Sequence, residues 1–286
     1  MSDQLQRFIF DDYQIRGEIA HADNSFHEII KNHHYGAEVE NIIGELAIAT
    51  SLLTATLKFE GVIAVQIQGD GPLKFAVVNG NKDLQLRGAA RVEGETTGLS
   101  FKELVGKGHL VITITPDNGE RYQGIVELNN DSLSSCLEAY FKQSEQLPTC
   151  IILHASNTDE TKAAGLLIQT LPAVDENHQA QFQHVTTLAA TITAEELFNL
   201  NNEALLYRLY HEEKVRLFEP DSISFKCNCS QERCLSSLAS IAPEEIREML
   251  HENGAIDMHC EYCGSDYHFE LNDLQILLND QHNTEH

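Results

Sequence analysis

The sequence predicts an α+β N-terminal domain, a helical linker and a small C-terminal module stapled by cysteines, and three observations predict it. The first 170 or so residues mix helical spacing with alternating segments around tight turns. The composition then shifts between residues 173 and 225, and five of the seven cysteines fall in the last 60 or so residues. A chain of 286 residues with 42% hydrophobic content is long enough for one large core and a smaller satellite.

Ile42, Ile43, Leu46, Ala49, Leu52, Leu53 and Leu57 recur at helical spacing with Glu45, Thr50 and Thr54 between them, the pattern of an amphipathic helix facing a core. Val62, Ala64 and Ile67, then Phe75 and Val77, alternate around the turn Gly69-Asp-Gly-Pro72, and Leu110, Ile112 and Ile114 precede the turn Pro116-Asp-Asn-Gly119, so two hairpins are expected. A helix over Leu133–Gln143 and a buried strand over Gly165–Leu171 complete a first domain closing at Pro172. In the linker, 173–225, glutamine and histidine thicken and nine acidic residues face three basic ones. Thr193 with Glu196 forms a capping box, and Leu197, Leu200, Leu205, Leu206 and Leu209 continue one helix that must dock on something.

Several functions are disfavoured. Forty-four acidic against nineteen basic residues give a net charge of -25, which repels phosphate backbones, so no nucleic-acid partner is expected. No apolar run reaches signal-peptide or membrane-spanning length, so the chain is expected to be soluble and intracellular, with no membrane partner. His211-Glu212 lacks the second histidine of a zinc-protease helix, and neither a phosphate loop nor a dinucleotide-binding glycine run is present, so no enzyme and no catalytic residue is expected.

The informative segment begins at Phe225. Cys227-Asn-Cys229 is followed, thirty residues later, by Cys260-Glu-Tyr-Cys263-Gly264. Two close pairs brought together by a small module are what tetrahedral zinc needs, so Cys227, Cys229, Cys260 and Cys263 are the candidate ligands. Gly264 suits a tight knuckle with positive φ. In an extended strand Ile223, Phe225, Cys227 and Cys229 share a face, which lets both first-pair thiols reach one ion. Between the pairs, Pro243 to Leu250 reads as a helix stopped by Gly254, and Tyr267, Phe269 and Leu271 alternate as a strand. Cys234, His259 and His268 are spare donors, while Cys136 and Cys150 read as buried small hydrophobes. The residues alone leave a structural zinc ribbon, a redox-responsive site and a metal-free thiol cluster open.

This cysteine spacing resembles that of the 33-kDa heat shock protein family, the redox-regulated molecular chaperones. Gly44-Glu45, residues 49–61, Gln68-Gly-Asp-Gly-Pro72, Arg87-Gly-Ala-Ala-Arg91, Gly119-Glu-Arg-Tyr-Gln-Gly124 and residues 210–220 are similar to that family as well. The resemblance covers nearly the whole chain. It implies a substrate-binding chaperone domain over 1–172, a metastable linker over 173–225 and a zinc-binding redox-switch domain over 226–286, in a cytoplasmic protein. It further implies one zinc per chain in the reduced form, held by Cys227, Cys229, Cys260 and Cys263. Oxidation is then expected to form the disulfides Cys227–Cys229 and Cys260–Cys263, release zinc and yield a homodimer that holds unfolding client proteins without ATP. Cys234 departs from the usual pattern and leaves the pairing open.

Overall fold

In the computed structural model residues 2–56, 60–172 and 178–279 are described. The order of elements is β1 (Gln4–Phe10), β2 (Ile15–His21), α1 (Asp23–Ile30), α2 (Ala37–Thr56), β3 (Gly61–Gly69), β4 (Leu73–Asn81), β5 (Gln85–Val92), α3 (Phe101–Val105), β6 (Gly108–Pro116), β7 (Tyr122–Glu127) and α4 (Leu133–Tyr140). There follow β8 (Thr149–Asn157), β9 (Thr161–Thr170), α5 (His178–Ala189), α6 (Ala194–Asn199), α7 (Asn202–Tyr210), β10 (Val215–Leu217), β11 (Asp221–Ser222) and β12 (Ser224–Phe225). The last stretch holds α8 (Gln231–Leu238), α9 (Pro243–Asn253), β13 (Ile256–His259), β14 (Asp266–Phe269) and α10 (Gln275–Asn279). Contacts divide the chain into two units, Met1–Lys226 and Cys227–His286.

Within Met1–Lys226 the organising element is α2, which is buried on almost every side rather than amphipathic as its spacing suggests. The difference has a simple cause. Thr50, Ser51 and Thr54 donate their hydroxyls to the carbonyls of Leu46, Ala47 and Thr50, so the polar positions satisfy themselves and the helix can enter a core whole. Two sheets flank it. One runs β12-β5-β4-β3-β6-β7, the other β10-β1-β2-β9-β8 with β11 also on β1. Ile63, Val65 and Ile67 from the first sheet and Leu5, Ala20, Ala163 and Leu167 from the second meet α1, α2 and α4 in one core.

The second sheet is buried on its other face too. Phe8, Phe10, Ile15, Ile19, Leu166 and Ile168 are covered by Val185, Leu197, Leu205, Leu206, Leu209 and Tyr210 from α5, α6 and α7. Phe10 and Tyr210 meet edge to face at 4.9 Å, and the Tyr210 hydroxyl donates to the Val185 carbonyl at 3.1 Å. Amid this apolar contact sits one buried polar chain. Asn202 donates from Nδ2 to Gln6 Oε1 at 2.9 Å, which turns its Oδ1 to His21 Nε2 at 2.9 Å and makes that nitrogen the donor.

Several expected boundaries shift. The single helix expected after Thr193 is two, α6 and α7. The Thr193 capping box is present, but Leu200 leaves helical geometry and Asn201 caps a fresh start by accepting from the Ala204 amide at 2.8 Å. The strand expected at Gly165 begins at Thr161, and the helix expected over Leu133–Gln143 passes after Tyr140 into a π turn over Phe141–Glu145. Leu57 and residues 173–177, which opened the expected linker, lie outside the described residues.

Two tests follow from this packing. Gly17 lies opposite Phe8, and a Cβ there would meet the Phe8 ring tip at 2.1 Å. Because Phe8 is fully buried and has nowhere to turn, Gly17→Ala is expected to cost about 1–3 kcal/mol in urea unfolding. Glu18, 1% exposed, accepts the Thr56 hydroxyl at 2.8 Å. Burial lifts its pKa from 4.5 to about 7, although Thr56, Arg16 and Arg7 pull the other way. A carboxyl raised by folding contributes its full stability below about 4.5 and loses it as pH rises through about 7. Glu18→Gln is therefore expected to gain on the wild type by about 2–3 kcal/mol between roughly pH 5 and pH 8, read from urea unfolding at both.

Candidate metal centre

The second cysteine pair is built by a turn. Between β13 and β14 the Cys263 and Gly264 amides donate to the Cys260 carbonyl at 3.3 and 2.8 Å, and the Cys260 amide donates to Ser265 O at 2.9 Å. Gly264 takes φ +70°, the left-handed position that its place after Cys263 suggests. This folding turns backbone N–H groups onto sulfur. Tyr262 and Cys263 amides reach the Cys260 thiol, and the Ser265 amide reaches Cys263.

The first pair is held differently from the strand its alternation suggests. Strand β12 ends at Phe225, although exposure keeps alternating through Cys229, with Cys227 and Cys229 half-buried and Asn228 exposed. The Cys229 amide turns to the Cys227 thiol. Ser230 then starts α8, its hydroxyl accepting from the Arg233 amide at 3.3 Å.

The four sulfurs all lie within 4.8 Å of one another, with Cys227 to Cys260 at 3.7 Å and Cys229 to Cys263 at 3.3 Å. A tetrahedral zinc with bonds of about 2.3 Å spaces its sulfurs about 3.8 Å apart, so the donor set and its size fit such an ion. Among the described residues no other group of three or more His, Cys, Asp or Glu converges in this way.

As bare thiols Cys227, Cys260 and Cys263 ionise unequally. Burial pushes the Cys227 thiol up to about 12 and also raises Cys260, whereas Cys263, despite its own burial, is held down to about 6 by the Ser265 hydroxyl and amide and by the neighbouring thiols. Four thiolates this close need a cation between them. A neutral donor also faces the group, since the Tyr267 hydroxyl lies 3.0 Å from Cys229 Sγ. Tyr267 escaped the sequence reading because only the pairing of β14 with β13 aims it at a sulfur 38 positions away.

The spare donors stay outside. His259 and His268 turn their Nδ1 atoms to Asp266 and Asp257, at 2.7 and 2.6 Å, on the face of the hairpin opposite Tyr267. Cys234 packs from α8 against the small core of Leu238, Ile246, Ile256, Phe269 and Leu274. Cys136 is buried, and Cys150 packs at the edge of the core under α5–α7. Leu271 departs from the expected strand alternation. Strand β14 stops at Phe269, where Asp273 accepts the Glu270 amide at 2.8 Å and turns the chain, leaving Leu271 56% exposed.

A sequence model of the family described as Hsp33 protein matches residues 3–270, which takes in the two-sheet unit and all four cysteines. The chain belongs to the Hsp33 family. It is 50% identical over 278 residues to a protein of Aeromonas salmonicida named 33 kDa chaperonin, covering 96% of this chain and 95% of that one. A 33 kDa chaperonin of Pectobacterium atrosepticum is 49% identical over 280 residues, covering 97% and 96%. The crystal structure of a 33 kDa chaperonin from Thermotoga maritima shares the fold, with a TM-score of 0.84 at 21% identity over 96% of this chain and 98% of that one. These relatives carry the name of chaperones rather than of enzymes. No described helix of this Hsp33 chain is long and apolar enough to cross a membrane.

The Tyr267 contact yields a direct test. Removing its hydroxyl leaves the four sulfurs in place but takes away a hydrogen bond that orients one of them. Tyr267→Phe is expected to weaken zinc binding about tenfold, measured by competition with a chromogenic chelator under reducing conditions.

Proposed function

We propose that this Hsp33 chain is a redox-regulated, ATP-independent holdase, cytoplasmic and without catalytic activity. In this reading residues 1–172 bind clients, 173–225 form a metastable linker and 226–286 are the redox switch. Cys227, Cys229, Cys260 and Cys263 hold one zinc. The observation that carries the reading is the cover over the second sheet. Helices α5–α7 hide Phe8, Phe10, Ile15, Ile19, Leu166 and Ile168, and the same segment of chain runs on into Cys227.

Zinc, when bound, keeps the four sulfurs ionised and together, and its binding free energy of about 10–16 kcal/mol is at the same time folding energy for the module. Ionised sulfurs are the nucleophiles. One attacks an oxygen of hydrogen peroxide, breaks the O–O bond and becomes a sulfenic acid while a first water leaves after protonation. A second cysteine sulfur attacks that sulfenic sulfur, expels the hydroxyl as a second water and closes the disulfide. Each disulfide consumes one peroxide, and the two electrons its cysteine pair gives up reduce that peroxide to two waters. The pairs assigned are Cys227–Cys229 and Cys260–Cys263. Sequence neighbours support this pairing, because they stay near each other as the module loosens, whereas partners from opposite pairs are 33 or 34 positions apart.

Sulfurs tied in disulfides no longer ligate, and a module whose core, among the described residues, is five buried apolar side chains has little else to hold it. Loss of that anchor, which follows β12 in the chain, frees α5–α7 to leave the second sheet. The apolar face then uncovered is the kind of contiguous patch that captures non-native chains, and two such chains associate as the active homodimer. Clients are unfolding proteins, and the charge of -25 disfavours nucleic acid.

The test follows peroxide treatment at raised temperature with two readouts in the same samples: zinc release to a chromogenic chelator, and suppression of aggregation of a thermally unfolding protein. One zinc per chain is expected to leave as holdase activity appears, and reductant with zinc to reverse both. Zinc that stays bound, or leaves without activity, reduces the module to a structural ribbon.

A further inference from the structure

A sheet edge left open invites another strand, and proteins blunt their edges with charge, short strands or caps. Three of the four outer edges in Met1–Lys226 are blunted in these ways. At β8 the Glu138 carboxylate from α4 accepts the outward amide of Ile151 at 2.8 Å. At the opposite end of that sheet β10 and β11 have three and two residues and carry Arg216 and Asp221, which pair with Asp11 and Arg7. In the first sheet β12 has two residues.

The fourth edge is β7, six residues long and without a charge from Tyr122 to Val126. Its hydrogen-bond phase follows from its neighbours. The Leu128 amide donates to Gly108 O at 2.9 Å, and on the far side of β6 the Asp117 amide donates to Glu60 O at 2.8 Å. With Leu110 opposite Val126 and Ile112 opposite Gly124, alternation makes Tyr122, Gly124 and Val126 the residues bonded to β6. The N–H and C=O groups of Gln123, Ile125 and Glu127 therefore point out of the sheet, and among the described residues none has a hydrogen-bond partner. Beside them Ile125 is 58% exposed. It ends an uncharged row that crosses five strands through Val111, Gln66, Val77 and Ala89.

We propose that the β7 edge is a client-binding surface that takes up an extended, apolar segment of a non-native polypeptide as an added antiparallel or parallel strand. This rests on the holdase reading and names a site for it. Backbone groups recognise any extended chain whatever its sequence, which is the selectivity a general holdase needs, and Ile125, exposed at the edge, meets an apolar side chain of the guest. A second copy of this chain is the poorer occupant, since it brings another net charge of -25 to the edge.

The variant that isolates the edge is Ile125→Pro in the full-length chain. The outward N–H at 125 is absent from the ladder with β6, so proline removes a docking donor without breaking the sheet, as it does at natural edges. Ile125→Ala is the companion that keeps the N–H. The probe is reduced, carboxymethylated α-lactalbumin, a permanently unfolded chain, added to peroxide-activated protein. In the wild type, hydrogen exchange of the 122–127 peptide is expected to slow when the probe binds. Ile125→Pro is expected to bind it at least about fivefold more weakly, the weight of one hydrogen bond. Zinc release and oligomeric state should be unchanged, and Ile125→Ala should lose less. The proposal is overturned if the probe binds without slowing exchange at 122–127, if Ile125→Pro binds equally well, or if binding falls only together with dimerisation seen by light scattering. A wild-type oxidised chain that binds no probe overturns the holdase reading along with it.

Discussion

Strand β2 has no face for water, and that constraint organises the larger unit. Its even-numbered side chains turn to α2 and its odd-numbered ones to α5–α7, so the sheet it belongs to is complete only when covered on both sides. The inner cover is permanent. Beyond its acidic first turn helix α2 has almost no surface suited to solvent, and Thr50, Ser51 and Thr54 give their hydroxyls to its own backbone. The outer cover is three short helices separated by breaks at residues 190–193 and 200–201, each of which makes its own docking contacts. A cover of this kind is stabilised by the sheet beneath it more than by its own helices, since pieces of six to twelve residues are too short to stand alone.

The smaller unit solves a different problem. Its core of Leu238, Ile246, Ile256, Phe269 and Leu274 is slight, and its half-buried thiols repel one another as soon as more than one ionises. Both difficulties would be met by a cation at the centre of the four sulfurs, onto which the amides at Tyr262, Cys263 and Ser265 and the Tyr267 hydroxyl already turn.

What could be read in the sequence, and what could not, follows from the range of each signal. The cysteine spacing and Gly264 are local, and the convergence of four thiols was legible from them. The turns at Gly69-Asp-Gly-Pro72 and Pro116-Asp-Asn-Gly119 announced β3–β4 and β6–β7 in the same way. Strand β2 went unread because burial on both faces erases the alternation that marks a strand. The break between α6 and α7 was hidden because Leu200 keeps the apolar spacing while Asn201 starts a new cap. Tyr267 and Ile125 depend on register, on which residue lies across the ladder, and no single-strand pattern carries that information.

The chain Gln6–Asn202–His21 sets where the outer cover can sit on the sheet. Three polar groups meet inside an apolar contact, and each has the other as its partner. Displacing α7 along the sheet by one turn would bury all three unpaired while costing the leucines little, because apolar surfaces tolerate sliding and hydrogen bonds do not. Asn202 therefore acts as an index pin. The greasy faces hold the helix to the sheet, and the pin admits one seat among many similar ones.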